Sequence, residues 1–236
     1  MCIRDSFEGY PNRDSLKYRD IYGLGDIKTL CRGTIRKVGF SESWDVFVQL
    51  GMTDDSYIIE NSKNMKFRDF VDLFLPYNAK ERVESKLQKL LKISEKELIW
   101  SKLLELDIFS DQKTITLDKA TPAQILEFIL CKSWTLDPSD KDMIVMTHKF
   151  VYELKNKKYQ IDSNMVCIGE DQTYTAMAKT VGLPLAIATL AILNSKITAK
   201  GVQLPVKKDI YNPILKELIE YGIEFNEYEI PFPAKN

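Results

Sequence analysis

The sequence predicts an α/β (α+β) chain in which a mixed-sheet domain, built from 7–51 and 139–236, is interrupted by an all-helical lobe at 52–138. Three observations lead there. Residues 29–36 alternate at the two-residue period of a strand. Apolar side chains between Phe67 and Leu130 recur at helical spacing, and after Asp142 the pattern turns back to strand.

Taken in order, residues 1–6 (Met-Cys-Ile-Arg-Asp-Ser) resemble a translated sequencing-adapter remnant and are expected to be a non-native leader. Residues 7–28 are rich in turn formers, including Gly9, Pro11, Asn12, Asp14, Gly23 and Gly25, and are expected to be loop with a short helical piece at 15–22. In 29–36, Leu30, Arg32, Thr34 and Arg36 share one face, with Cys31, Gly33 and Ile35 on the other. Ser41 is the candidate N-cap of a helix that runs to Leu50 and stops at Gly51.

In the helical lobe, Phe67, Phe70, Val71 and Phe74 form one apolar stripe and Val83, Leu87, Leu90 and Leu91 a second. Leu98, Leu103, Leu104 and Leu106 belong to a third helix, and Thr121-Pro122 is an N-cap and N1 pair opening a fourth. Residues 143–154 and 159–168 are predicted strands, joined by a solvated hairpin turn at Lys155-Asn156-Lys157-Lys158. A helix at 174–181 is expected to end at Gly182, and a second to start at Pro184 and run to 194. The last helix, 209–221, turns Ile210, Ile214, Leu215 and Leu218 inward and ends at Gly222, before a strand at 223–230.

Composition narrows the function. The 236 residues are 44% apolar and 28% charged, an ordinary globular mixture. With 33 basic and 34 acidic residues the net charge is −1, so neither nucleic acid nor an anionic membrane is an expected partner. The longest apolar run, 183–193, is shorter than a bilayer span needs and is expected to be a buried helix. Four cysteines occur without C-x-x-C spacing, and His148 is the one histidine, so a structural metal is not expected. The thiols are expected to be buried in a reducing, cytoplasmic setting.

The chemistry-bearing stretch is 29–36. Two arginines and a threonine on one strand face cannot be buried unpaired, so that face meets either solvent or an anion. Arginine suits a carboxylate because its planar fork offers two parallel donors, and Gly33 permits close backbone approach. Arg13 raises the same question, although its neighbour Asp14 could simply pair with it. His148 has a side chain able to act as a general base near neutral pH, but a lone strand histidine is more often structural. Gly23-Leu24-Gly25 begins like a dinucleotide fingerprint, yet Lys28 stands where its third glycine would be and no strand precedes it.

Several stretches together carry a resemblance. Tyr10-Pro11-Asn12-Arg13-Asp14-Ser15, Ile21-Tyr22-Gly23, Arg32-Gly33-Thr34-Ile35-Arg36, Asp142-Met143-Ile144-Val145-Met146, the run from Tyr174 to Pro184, and Ile210-Tyr211-Asn212-Pro213 occur in that order. The chain resembles the saccharopine dehydrogenase family, glutamate-forming branch, from about Phe7 to about Phe225. Ile35 stands where that family usually has leucine, and Lys37 where it has an aromatic residue.

The resemblance implies an NAD(P)-dependent oxidoreductase of lysine metabolism. This chain would be its mixed-sheet substrate-binding domain, with an N-terminal Rossmann domain missing. NAD or NADP would be bound mainly by that missing domain. Substrate contacts carried over by position fall on Arg13, Thr34, Ile35 and Arg36. Because saccharopine bears three carboxylates, the resemblance favours the anion reading of this strand. It names no catalytic residue here. The partner would be the small molecule saccharopine, with a homodimer as a possible assembly. The rivals are a non-catalytic binding or assembly module, and a dehydrogenase for another secondary amine such as carboxynorspermidine.

Overall fold

The computed structural model describes residues 7–12 and 14–231. The expected leader at 1–6 and the candidate ligand Arg13 lie outside the described residues. The described chain divides into two compact units, one holding 7–12 with Cys31–Thr135, the other Asp14–Leu30 with 136–231.

In the first unit, β1 (Phe7–Pro11) and β2 (Gly33–Lys37) form an antiparallel ribbon, with Phe7 opposite Lys37 and Pro11 opposite Gly33. β1 occupies a stretch expected to be loop. Its Gly9 and Pro11 read as turn formers, but a two-stranded ribbon has edges that tolerate both. The helix α2 (Phe40–Leu50) starts from Gly39 at φ 88°, not from Ser41, and ends on Gly51 at φ 78°. Both glycines adopt the left-handed conformation that costs them little.

Four helices follow: α3 (Phe67–Asp72), α4 (Val83–Leu91), α5 (Leu98–Glu105) and α6 (Pro122–Trp134). α6 opens on the expected pair. Thr121 Oγ1 accepts from the Gln124 amide at 3.2 Å while Gln124 Oε1 accepts from the Thr121 amide at 2.9 Å, and Pro122 fills N1. Such a capping box stabilises a helix by about 1 kcal/mol.

Phe70, Leu87, Leu103, Ile125 and Ile129 are fully buried in one core. Val46, Phe47 and Leu50 of α2 belong to that same core, together with Met52. Burial of such side chains contributes about 1.5–3 kcal/mol each. The expected boundary between 51 and 52 therefore does not appear. The apolar face of α2 finds its partners among the helices, and this places 31–51 with the lobe.

In the second unit, α1 (Tyr18–Ile21) is a single turn. The long strands β3 (Met143–Leu154) and β4 (Lys157–Ile168) pair antiparallel, and β5 (Asn226–Pro231) pairs antiparallel with β4. The expected hairpin is present with a tighter turn. Lys155 and Asn156 alone form it, at φ 50° and 62°, and Lys157 and Lys158 already pair with Leu154 and Glu153. Two residues of positive φ match the twist of the flanking strands. All described pairings are antiparallel, so small antiparallel sheets replace the mixed sheet expected within the α/β class.

One sheet face packs Met165 and Cys167 against Ala176, Ile187 and Ala191 of α7 (Ala176–Leu193) and against Ile210, Ile214 and Leu218 of α8 (Lys208–Leu218). Leu215, expected inward, is exposed. A short 3-10 turn, Ile219–Tyr221, then ends on Gly222 at φ 73°.

α7 corrects a larger expectation. Gly182 and Pro184 do not divide it; they lie inside one helix of 18 residues. Proline lacks the N–H that would reach back one turn, which normally weakens a helix. Here the N-terminus is strongly held. Asp142 accepts from the amides of Ala176 at 2.5 Å and Met177 at 2.9 Å, and Thr175 Oγ1 accepts from the Ala178 amide at 2.9 Å. Beyond Pro184, Ile187 and Ala191 are anchored in the core.

The apolar run in α7 is also not buried as expected. Leu185 is 70% and Leu193 73% exposed. With a mean hydropathy of 1.8, the helix is long and apolar enough to cross a membrane by length and composition. Two of the thiols expected to be buried, Cys31 and Cys131, are exposed; Cys167 is buried.

Candidate functional site

The β1–β2 ribbon carries the strongest candidate site. Register places Glu8 opposite Arg36 and Tyr10 opposite Thr34, so these four side chains share one face. Gly33 lets the strands close. A Cβ there would lie 3.0 Å from the Tyr10 carbonyl oxygen, tighter than ordinary contact. Ile35 is on the opposite face, across from Gly9, so only its backbone serves the Thr34 and Arg36 side.

Asn12 orients Thr34. Its amide N–H bonds to the Arg32 carbonyl at 3.1 Å, and its side-chain Nδ2 donates to Thr34 Oγ1 at 2.7 Å. With that oxygen accepting from Asn12, the threonine proton is left to donate elsewhere.

Arg36 is exposed, lies 5.5 Å above the Phe40 ring and donates through Nη1 to the Ile35 carbonyl at 3.0 Å. Among the described residues no carboxylate forms an ion pair with it. Its cross-strand neighbour Glu8 is engaged elsewhere, accepting from the Gly39 amide at 3.1 Å and the Ser41 amide at 2.5 Å. Those bonds, from Ser41 above all, hold the Glu8 carboxyl below its ordinary range. The face therefore offers a hydroxyl proton and a guanidinium fork without a bound carboxylate. Chemically, such a face is able to accept a carboxylate.

The other candidates are placed as follows. His148 is exposed in β3, stacked on Phe150 at 6.0 Å and tilted against Phe225 at 5.6 Å. No hydrogen bond among the described residues aligns its ring as a base. Gly23-Leu24-Gly25 follows α1 rather than a strand, and so forms no dinucleotide turn. Sequence reasoning missed Glu8, Asn12 and Phe40. Reading 7–11 as a strand would have set Glu8 against Arg36 and exposed the question of which partner it takes.

The sequence profile of the Saccharopine dehydrogenase C-terminal domain matches residues 1–223. The chain belongs to the saccharopine dehydrogenase family. Curated relatives agree. The chain is 34% identical over 236 residues to mouse mitochondrial alpha-aminoadipic semialdehyde synthase, covering 94% of this chain and 24% of that protein. It is 32% identical over 231 residues to the NADP+, L-glutamate-forming saccharopine dehydrogenase of Saccharomyces cerevisiae, covering 94% of this chain and 51% of that enzyme. A solved structure of apo L-Glu-forming saccharopine dehydrogenase from the same yeast superposes with a TM-score of 0.84 at 30% identity. The match spans 98% of this chain and 53% of that one. The chain thus spans about half the length of the yeast family member and a quarter of the mouse one.

Proposed function

We propose that this chain is the substrate-binding half of an NAD(P)-dependent saccharopine dehydrogenase. The whole enzyme would oxidise the secondary amine of saccharopine, and hydrolysis of the imine would release glutamate and 2-aminoadipate 6-semialdehyde. The observation that carries the reading is the guanidinium of Arg36, which forms no ion pair among the described residues, beside the directed hydroxyl of Thr34, in a chain of this family.

In this proposal Arg36 and Thr34 bind a substrate carboxylate, joined by Arg13 and by the backbone of Ile35. Their contribution is orientation. A carboxylate fixed by a bidentate fork sets the angle of the carbon chain attached to it, and positioning of this kind supplies much of an enzyme's rate. In this proposal NAD(P) is held mainly by the half of the enzyme that the relatives carry beyond the matched stretch. The exposed face of α7 suits docking against that part.

Calorimetry on the purified chain tests the division of labour. Saccharopine should bind in the micromolar to millimolar range, while NAD(P) should show no micromolar binding and turnover should be absent. Micromolar NAD(P) binding, or no heat with saccharopine at millimolar concentration, would overturn the assignment.

A further inference from the structure

We propose that Glu8 is a positioning residue for the carboxylate cradle, keeping Arg36 available by giving its own carboxylate to the start of α2. The inference rests on the proposed anion-binding role of Arg36 and deepens it.

The starting point is register. Glu8 and Arg36 are directly paired across the ribbon. Side chains so paired share a face with Cβ atoms roughly 4.5–5.5 Å apart, close enough for opposite charges to meet. An ion pair is the default for this arrangement, and it would occupy the guanidinium fork. The pair does not form. Glu8 Oε2 accepts from the Gly39 amide at 3.1 Å and Oε1 from the Ser41 amide at 2.5 Å. The N-terminal turn of a helix attracts a carboxylate through its unsatisfied amides and its dipole. α2 thus competes successfully for the carboxylate that would otherwise neutralise Arg36.

The same bonds build the platform under the guanidinium. Gly39 and Ser41 flank Phe40, so the two hydrogen bonds fix the residue on which Arg36 rests at 5.5 Å. Phe40 is stacked on Trp44 at 6.1 Å, and Trp44 on Trp134 at 6.4 Å. Gly39 cannot accept a side chain without displacing Leu98, whose Cδ2 would lie 2.6 Å from the new Cβ. The turn between β2 and α2 is therefore held from both sides. Among the described residues Arg36 makes one hydrogen bond, to Ile35, which leaves most of its five donors for an incoming carboxylate.

Charge and positioning make opposite predictions for a neutral substitute at position 8. On charge alone, removing a carboxylate from beside an anion site tightens anion binding. Positioning requires that binding weaken, because a glutamine has one acceptor oxygen for two amides and the platform loosens. The experiment titrates the chain with glutarate, a simple dicarboxylate, by calorimetry, and follows thermal melts in parallel. Glu8→Gln should weaken glutarate binding by about two- to tenfold, the range for one net hydrogen bond. In an Arg36→Ala background the same substitution should cause no further loss. Unchanged or tighter binding by Glu8→Gln, with only a lower melting temperature, would show Glu8 to be a plain helix cap and overturn the inference. So would losses that simply add in the double variant. If Arg36→Ala leaves glutarate affinity at the wild-type level, or wild type gives no heat at all, the cradle itself fails.

Discussion

Replacing Gly33 by alanine puts a methyl group where the two strands of the cradle come closest. Its Cβ would stand 3.0 Å from the Tyr10 carbonyl oxygen and 3.7 Å from the carbonyl carbon, both backbone atoms that cannot rotate away. Two effects oppose each other. Alanine restricts the unfolded chain and so favours folding by about 0.4–1 kcal/mol. Overpacking of this kind costs about 1–3 kcal/mol. The clash should win, leaving the ribbon destabilised by about 0.5–2 kcal/mol, or roughly 1–8 °C in the melting temperature. The control is Gly9→Ala on the facing strand, whose Cβ would meet Ile35 Cγ2 at 3.6 Å, an ordinary contact. That variant should be neutral or slightly stabilised. The assay is a calorimetric melt of both proteins, with saccharopine affinity measured alongside. Equal stability of the two variants would refute the reasoning, since only the position 33 methyl meets fixed backbone closer than ordinary contact.

Other outcomes follow from the same structure. Lys86 is buried, with 5% of its side chain exposed, and bonds to Asp72 Oδ1 at 2.8 Å, while Asp72 is 37% exposed. Asp72→Ala strands the buried ammonium and should cost about 1.5–3 kcal/mol by urea unfolding, whereas Lys86→Met should cost under about 1 kcal/mol. The Glu8 carboxyl titrates below its ordinary 4.5 when folded, so its stabilising effect is complete above that pH and is lost as pH falls through the lower folded value. The gap in melting temperature between wild type and Glu8→Gln should therefore be constant from pH 7 to about 5 and close below 4.5; a gap that widens on acidification would contradict the sign. The exposed face of α7 should drive concentration-dependent association, and Leu185→Lys with Leu193→Lys should reduce it; sedimentation showing a wild-type monomer at all concentrations would count against this.

Local signals were legible in the sequence where the structure is local. Thr121-Pro122 gave the start of α6, and the polarity switch at Lys155 gave the β3–β4 hairpin, because caps and turns are set by neighbours within a few residues. The alternation at 29–36 put Thr34 and Arg36 on one face, as the structure does. Long-range choices were not legible. The cap of α2 is a carboxylate 33 residues earlier in the chain, so Ser41 drew the assignment that Glu8 fulfils. Gly182 and Pro184 carry a break signal that capping by Asp142, 34 residues upstream of Ala176, overrides. The boundary at 51 failed for a related reason. The apolar face of α2 is visible in the sequence, but the partner that covers it is not.

On the proposed reading, the most direct measurement is the kinetics of Arg36→Ala in an enzyme that carries this chain together with a nucleotide-binding half. A hydrogen-bonded carboxylate contact contributes roughly 1.5–3 kcal/mol, so kcat/KM for saccharopine should fall by about 10- to 150-fold. Arg36→Lys should recover part of that loss, because an ammonium keeps the charge but not the fork. His148→Ala serves as the comparison and should change turnover less than about tenfold. Near-native kcat/KM for a folded Arg36→Ala protein, with turnover abolished in His148→Ala, would contradict the account and move the chemistry to the histidine.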